Sequence, residues 1–343
     1  MRAAVLTGHG GAEVVDYQED LLAPEPGAGE ARVKVEAAAL NRLDLWVRAG
    51  WKGLKLDFPH VICADGAGVV DAVGEGLTAF APGDRVCIDP TIVRPDDPAL
   101  YSGLENQTRI AILGEHHSGT AAEYIVLPQR NLLKMPADFD FGEAAAAGLV
   151  GVTAWHSLIT RGGLKAGESV LIVGAGGGVN SISIQIAKLA GATVYVIGSS
   201  AEKCKQAEAI GADVTINREE EPQWSRALYK LTNRRGVDVV VDNVGAATLG
   251  QSTRACRIGG RILIVGGTSG YGFELNVAQL FTRHITLIGS TMGPHRDYVA
   301  FMEQVFAGCL KAVIGVRLPL REARRAQDIL ENNEVFGKVV LEV

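Results

Sequence analysis

The residues best placed to do chemistry lie in one stretch, Gly167–Lys188, where an apolar run breaks into glycines and resumes as a helical pattern. Val170-Leu171-Ile172-Val173 predicts a buried parallel strand, and Ile182, Ile184, Ile186, Ala187 and Leu189 predict the helix after it. Between them, Gly174-Ala175-Gly176-Gly177-Gly178 lets the backbone come close to an anion, at which the free N–H groups of the helix's first turn point. Gly176, Gly177, Gly178 and Val179 are thus the expected pyrophosphate contacts. The spacing departs from the strict G-x-G-x-x-G fingerprint, whose glycine positions fall on Ala175, Gly177 and Asn180. A glycine-rich turn that binds nothing is the plain alternative. The next strand ends in Gly198-Ser199-Ser200, followed by Lys203, where a site selective for NAD commonly carries an acidic residue. Small hydroxyls and a cation suit a 2′-phosphate, against which Glu202 weighs slightly.

The elements that must position these residues follow from the pattern downstream. Strands are predicted at Val170–Val173, Thr193–Ile197, Asp213–Asn217, Val237–Val241, Arg261–Val265 and Ile285–Ile288, with helical spacing between them, as at Ala201–Ile210 and Gln223–Thr232. That alternation predicts an α/β domain with a doubly wound parallel sheet, a Rossmann fold. Asn243, Val265, Gly266 and Met292 fall at or just beyond strand ends, on the carboxyl edge where such sheets take ligands. Residues 1–150 differ: short alternating runs (Arg2–Leu6, Ala31–Ala37, Gly68–Val73, Arg85–Ile88) separated by turn clusters predict β-rich, barrel-like material. A helix is expected at Arg296–Ala307 and a last strand at Gly337–Glu342, returning to the first domain. The boundaries are thus 1–150 completed by 293–343, and 151–292. Asp89–Arg109 is polar and aperiodic and predicts a surface lobe.

A chain of 343 residues that is 47% hydrophobic can bury two cores. A net charge of −6 without a basic cluster argues against nucleic acid as a partner. No apolar run is long enough for a membrane span, and the start MRAAVLTGHGG does not resemble a signal peptide. Five widely spaced cysteines without a C-x-x-C pair fit reduced thiols and a cytoplasmic setting. The apolar last strand of the sheet, His284–Thr291, would be an exposed edge in a monomer and predicts a homodimer or a dimer of dimers.

Several segments together carry a resemblance: AAALNRLDLWVRAG (Ala37–Gly50), PHVICADGAGVVDAVG (Pro59–Gly74), APGDRV (Ala81–Val86), GTAAEYIVLP (Gly119–Pro128), the glycine stretch and the final FGKVVLEV. The chain resembles the medium-chain dehydrogenase/reductase superfamily, with its closer likeness to the quinone oxidoreductase (zeta-crystallin-like) branch and to alcohol-dehydrogenase-like proteins. The resemblance implies a GroES-like catalytic domain beside the Rossmann domain. It also places the three catalytic zinc ligands of zinc-dependent members on Asn41, Ala64 and Leu149. Alanine and leucine have no donor atom and a neutral amide is a poor ligand, so no metal is expected. The proton-relay positions fall on Leu43 and Trp46, and the lobe Asp89–Arg109 holds no cysteine for a structural zinc. His60, Cys63, Asp65, His116 and His117 are the candidates for a substitute site, with surface or core roles the commoner outcome.

Without zinc, the implied activity is hydride transfer from NADPH, with NADH second, to a quinone or an α,β-unsaturated carbonyl compound. Such substrates are already electrophilic. By the resemblance, Asn41 could donate its amide N–H to the substrate oxygen, Asp44 would orient its neighbours, and Trp46 would form an apolar wall. Their ordinary alternatives are a helix cap, a first-turn charge and a core residue. Arg42 and Lys338 match cations near the cofactor phosphates and Thr153 a hydroxyl near the nicotinamide; Arg218 replaces a tyrosine of NADP-binding relatives. Two rival readings are an alcohol dehydrogenase and a catalytically silent nucleotide-binding protein.

Overall fold

The structure, a computed structural model, describes residues 1–93 and 110–343. The chain divides into two compact units, Met1–Gly151 with Pro294–Val343, and Val152–Gly293. The first unit opens with β1 (Ala3–Leu6), β2 (Val15–Gln18), β3 (Glu30–Ala39), α1 (Arg42–Ala49), β4 (His60–Val61) and β5 (Asp65–Val73). It continues through β6 (Arg85–Ile88), β7 (Thr91–Ile92), β8 (Ala111–Ile112), β9 (Tyr124–Pro128) and β10 (Leu132–Lys134). Then α2 (Phe141–Trp155) carries the chain onward.

The second unit alternates strand and helix: β11 (Ser169–Val173), α3 (Gly178–Leu189), β12 (Thr193–Gly198), α4 (Ala201–Ala209), β13 (Val214–Asn217) and α5 (Trp224–Leu231). It ends with β14 (Val237–Asp242), α6 (Leu249–Ala255), β15 (Cys256–Ile264), α7 (Val277–Arg283) and β16 (Thr286–Gly289). The chain then returns to the first unit as α8 (His295–Phe306), β17 (Ile314–Pro319), α9 (Ala323–Glu331) and β18 (Lys338–Glu342).

The second unit is a six-stranded parallel sheet in the order β13-β12-β11-β14-β15-β16, the doubly wound order of a Rossmann fold. All six residues of β14 are buried, as a central strand covered on both faces requires. The first unit is built on a mainly antiparallel sheet, β10-β6-β5-β3-β18-β17, with β9 also paired to β3. In β3 the alternation that buries Val33 and Val35 lets one strand serve a core and a polar face. Among the described residues, no helix is long and apolar enough to cross a membrane.

Three expectations need correction. β15 starts at Cys256, not Arg261, because α6 runs straight into it and Gly259-Gly260 lie inside the strand, where glycines normally signal a turn. β17 and α9 were not foreseen from the sequence. Of the expected surface lobe, residues 94–109 lie outside the described residues. Its first part is not surface: Asp89 and Thr91 are buried, the Asp89 carboxylate accepts from the Thr91 N–H and Asn131 donates to both backbone carbonyls.

At the lower end of the parallel sheet one carboxylate ties three segments together. Asp238, on β14, accepts from the backbone N–H and hydroxyl of Ser169 and from the guanidinium groups of Arg235 and Arg257. Burial alone would raise its pKa, but these donors outweigh it and hold the carboxyl at about 2. A depressed pKa contributes stability above the unfolded value, near 4, and loses it as pH falls through the folded one. Asp238→Asn should therefore cost about 2 kcal/mol at pH 7, roughly half of that at pH 3 and little at pH 2. Denaturant unfolding of both proteins across that range measures the gap, and a gap independent of pH would contradict the assignment.

Candidate functional site

The first unit carries a cluster built by sheet register. Ala39, at the end of β3, pairs with Asp65 on one side and with Val340 on the other. The first residue of β5 and the start of β18 therefore flank the point from which Asn41 emerges. Asp65 is fully buried and Lys338 nearly so. The Lys338 ammonium donates to Asp65 Oδ2 at 2.8 Å and to Asn41 Oδ1 at 2.6 Å, while Asn41 Nδ2 donates to Asp65 Oδ2 at 2.9 Å. Only this orientation of the amide suits both a cation and a carboxylate. The second carboxylate oxygen accepts from the backbone N–H of Leu149 at 2.5 Å. A Cβ on Gly148 would lie 2.5 Å from that oxygen, so this turn of α2 needs glycine for the carboxylate to fit.

Asn41 and Asp44 also begin α1. The Asn41 carbonyl accepts from the Asp44 N–H, and Asp44 Oδ2 accepts from the Asn41 N–H at 2.7 Å. The other oxygen of Asp44 accepts from the N–H of Cys63, whose φ of 71° holds the chain in the left-handed region. Burial pushes the Asp44 carboxyl up to about 6, although both N–H groups and the nearby Lys338 favour the charged form. Burial, then the Asp44 charge, raises the Cys63 thiol well above its usual range. Trp46, on the same helix, is 36% exposed. Arg42 is half-buried and donates to the side chain of Asn333 beyond α9.

This geometry changes two expectations. Lys338 does not extend as a free cation awaiting a phosphate, because the buried Asp65 carboxylate takes it as counter-charge. Asn41 does not present an unengaged amide, because one N–H and its oxygen are committed to that ion pair. The donors also do not fit a zinc ion. Ala64 and Leu149 offer no side-chain ligand, and an ammonium already lies against Asn41 and Asp65. The other candidates are engaged elsewhere: His60 bonds the Gly114 carbonyl and His116 lies 3.6 Å from Glu115. Among the described residues, no group of three or more His, Cys, Asp or Glu is placed to hold a metal.

In the second unit the glycine stretch forms the turn from β11 to α3. Gly177 precedes the helix in extended conformation, its end has no side-chain cap, and a Cβ there would meet nothing within 4 Å. The first-turn N–H groups are thus open to an anion, which fits a dinucleotide pyrophosphate. Gly176, Gly178 and Val179 are half-buried around it. Asn180, the departure from the fingerprint, is accommodated because Gly174 (φ +106°) has no side chain in its way. Its amide donates to the Val173 carbonyl, and its oxygen accepts from Asn243 Nδ2 at 2.8 Å.

Asp242, which sequence reasoning missed, closes the end of β14. Fully buried, it accepts from the N–H groups of Val244 and Gly245 and from the hydroxyls of Thr248 and Ser252. Its carbonyl accepts from Val265, which brings Val265 and Gly266 beside Asn243. Thr153 donates to the sulfur of Met292 at 3.6 Å, and Met292 is buried with φ 46°. At the far side Gly198 pairs with Asn217, so Ser199 and Arg218 leave neighbouring strands together. Ser200 caps α4 by accepting from the N–H of Lys203, and Arg218 is exposed. Asp65 and Asp242 each left one signal in the sequence, a lone carboxylate in or at the end of an apolar run.

A parallel sheet with an open anion site at its first helix defines a nucleotide-binding α/β protein. Residues 27–137 match the alcohol dehydrogenase GroES-like domain and residues 178–307 the zinc-binding dehydrogenase family. A quinone oxidoreductase from Lama guanicoe is 30% identical, covering 99% of this chain and 97% of its own. A crotonyl-CoA reductase from Streptomyces collinus is also 30% identical, over 94% of this chain and 80% of its own. The crystal structure of an NAD-dependent alcohol dehydrogenase superposes with a TM-score of 0.96 at 45% identity, covering all of both chains. The chain belongs to the medium-chain dehydrogenase/reductase superfamily, whose members are nicotinamide-dependent oxidoreductases.

Proposed function

We propose that this chain is a zinc-independent, NADPH-dependent reductase of quinones or α,β-unsaturated carbonyl compounds. The observation that carries the reading is the Asn41–Asp65–Lys338 set: Asn41, one of the three positions that the resemblance gives to zinc ligands, already accepts from an ammonium and donates to a buried carboxylate. A conjugated acceptor needs no Lewis acid, since hydrogen-bond donors can stabilise charge developing on its oxygen. The names of the quinone oxidoreductase and crotonyl-CoA reductase relatives agree with such acceptors. When bound, the nicotinamide supplies the hydride. The protein's part is then positioning. The Gly176–Val179 turn holds the pyrophosphate, Asn243, Val265, Gly266, Thr153 and Met292 line the nicotinamide side, and Arg42 approaches a phosphate. Asn41 offers its second amide hydrogen, Asp44 fixes the start of α1, and Trp46 gives a flat substrate an apolar wall.

The name of the relative at 45% identity favours a second reading, an alcohol dehydrogenase using NADH. One screen separates the two: quinones, enones, aldehydes and alcohols, each with NADPH and NADH, with and without a chelator. Reduction of a quinone or enone that survives the chelator is expected. Alcohol oxidation abolished by it, or one tightly held zinc per chain, would contradict the proposal.

The preference for NADPH rests on Ser199, Ser200, Lys203 and Arg218 gathered where β12 and β13 end. Lys203→Ala or Arg218→Ala should weaken NADPH about tenfold, one charge-assisted bond, and leave NADH nearly unchanged. Equal losses for both cofactors would show that these side chains support the fold.

The same unit supports a dimer. β16 is an edge strand, and Tyr271, Val277 and Phe281 near it in sequence are exposed. Two copies joining their sheets along β16 would satisfy that edge. Sedimentation at micromolar concentration is expected to give a dimer or tetramer, and a monomer would exclude this arrangement.

A further inference from the structure

A buried ammonium has three hydrogens to place, and each one left without an acceptor costs free energy. Among the described residues Lys338 places two, on Asp65 Oδ2 and Asn41 Oδ1. The third has no protein acceptor among them, although the side chain is 4% exposed. The anchors are themselves fixed. Asp65 is held by the Leu149 N–H and the Asn41 amide, and its own carbonyl accepts from the hydroxyl of Thr120. Such a cation cannot swing away to follow a ligand without abandoning a buried carboxylate.

We infer that the Lys338 ammonium serves as a built-in cation in place of a catalytic metal, with its remaining N–H offered to the substrate oxygen on which negative charge develops. This rests on the proposed reduction of a conjugated carbonyl or quinone. It assigns Lys338 to the substrate rather than to a cofactor phosphate. An N–H bond from an ammonium strengthens as its acceptor gains charge, so it favours the transition state over the bound substrate. No bond to Lys338 forms or breaks. The same positive charge opposes any divalent cation among Asn41, Ala64, Asp65 and Leu149.

Lys338→Met alone would strand the Asp65 charge and is expected to unfold the first unit. The test therefore uses Lys338→Met with Asp65→Asn, which removes both charges. This variant should bind NADPH within about threefold of the parent. Its kcat on the best quinone or enone should fall about 100-fold, the size expected for one oxyanion donor. Unchanged kcat, or a loss of NADPH affinity that accounts for the lost activity, would overturn the inference. A second arm needs no substrate. Asn41→Cys, Ala64→His and Leu149→Cys are introduced together, with Lys338 and Asp65 either both kept or replaced together by Met and Asn, and Co2+ binding is followed by visible absorption. Binding at least about tenfold tighter without Lys338 is expected, and equal affinities would overturn the claim that its charge fills the metal's place. A parent enzyme inactive on every quinone and enone would refute the proposed function instead, and the Co2+ arm would still decide the role of Lys338.

Discussion

The buried carboxylate of Asp65 is the constraint around which the first unit's candidate site is arranged. A charge with no exposure to water must be met by a cation and by hydrogen bonds, or its burial becomes prohibitive. Here the cation comes from β18 and the bonds from Asn41 and the backbone of Leu149. The absence of a side chain at Gly148 makes room for it. Four remote segments are thereby fixed to within hydrogen-bond tolerance of one another. The start of α1 inherits that order, because Asn41 and Asp44 bond each other and Asp44 in turn holds the strained backbone at Cys63. Preorganisation of this kind gives a donor its catalytic value, since nothing needs to reorient as charge develops.

The second unit solves the same problem differently. Asp242 is also fully buried, yet among the described residues its partners are backbone N–H groups and hydroxyls, with no lysine or arginine. Its neutral donors close the turn after β14 and leave Asn243 free to bond Asn180. That bond explains how an asparagine stands where the fingerprint asks for glycine. The side chain satisfies the last carbonyl of β11 and links two strand ends, and Gly174 supplies the room that the third glycine normally gives. A departure from a motif is compensated one turn away.

The parallel sheet was largely legible because Val170–Val173 and Val237–Val241 are apolar runs between helical patterns, and only tertiary burial on both faces produces such runs. The internal glycines of β15 hide its first half, β17 shows its alternation through only three apolar residues (Ile314, Val316 and Leu318), and α9 buries mostly small or polar side chains (Ala323, Ala326 and Gln327). At the site, the glycine turn and the cluster at the ends of β12 and β13 could be read from local spacing. The Asp65–Lys338 pair could not, since its members lie 273 residues apart and only the register of three strands joins them. Sequence supplied the type of each residue there. The sheet decided which of them meet.

Lys338 is assigned to Asp65 and the substrate, not to the cofactor. A crystal structure of the protein with NADPH bound tests it most directly. The pyrophosphate is expected to rest on the Gly176–Val179 turn while Lys338 Nζ stays in hydrogen-bond contact with Asp65 and Asn41. A structure in which Nζ has left Asp65 to bond a phosphate oxygen would contradict it.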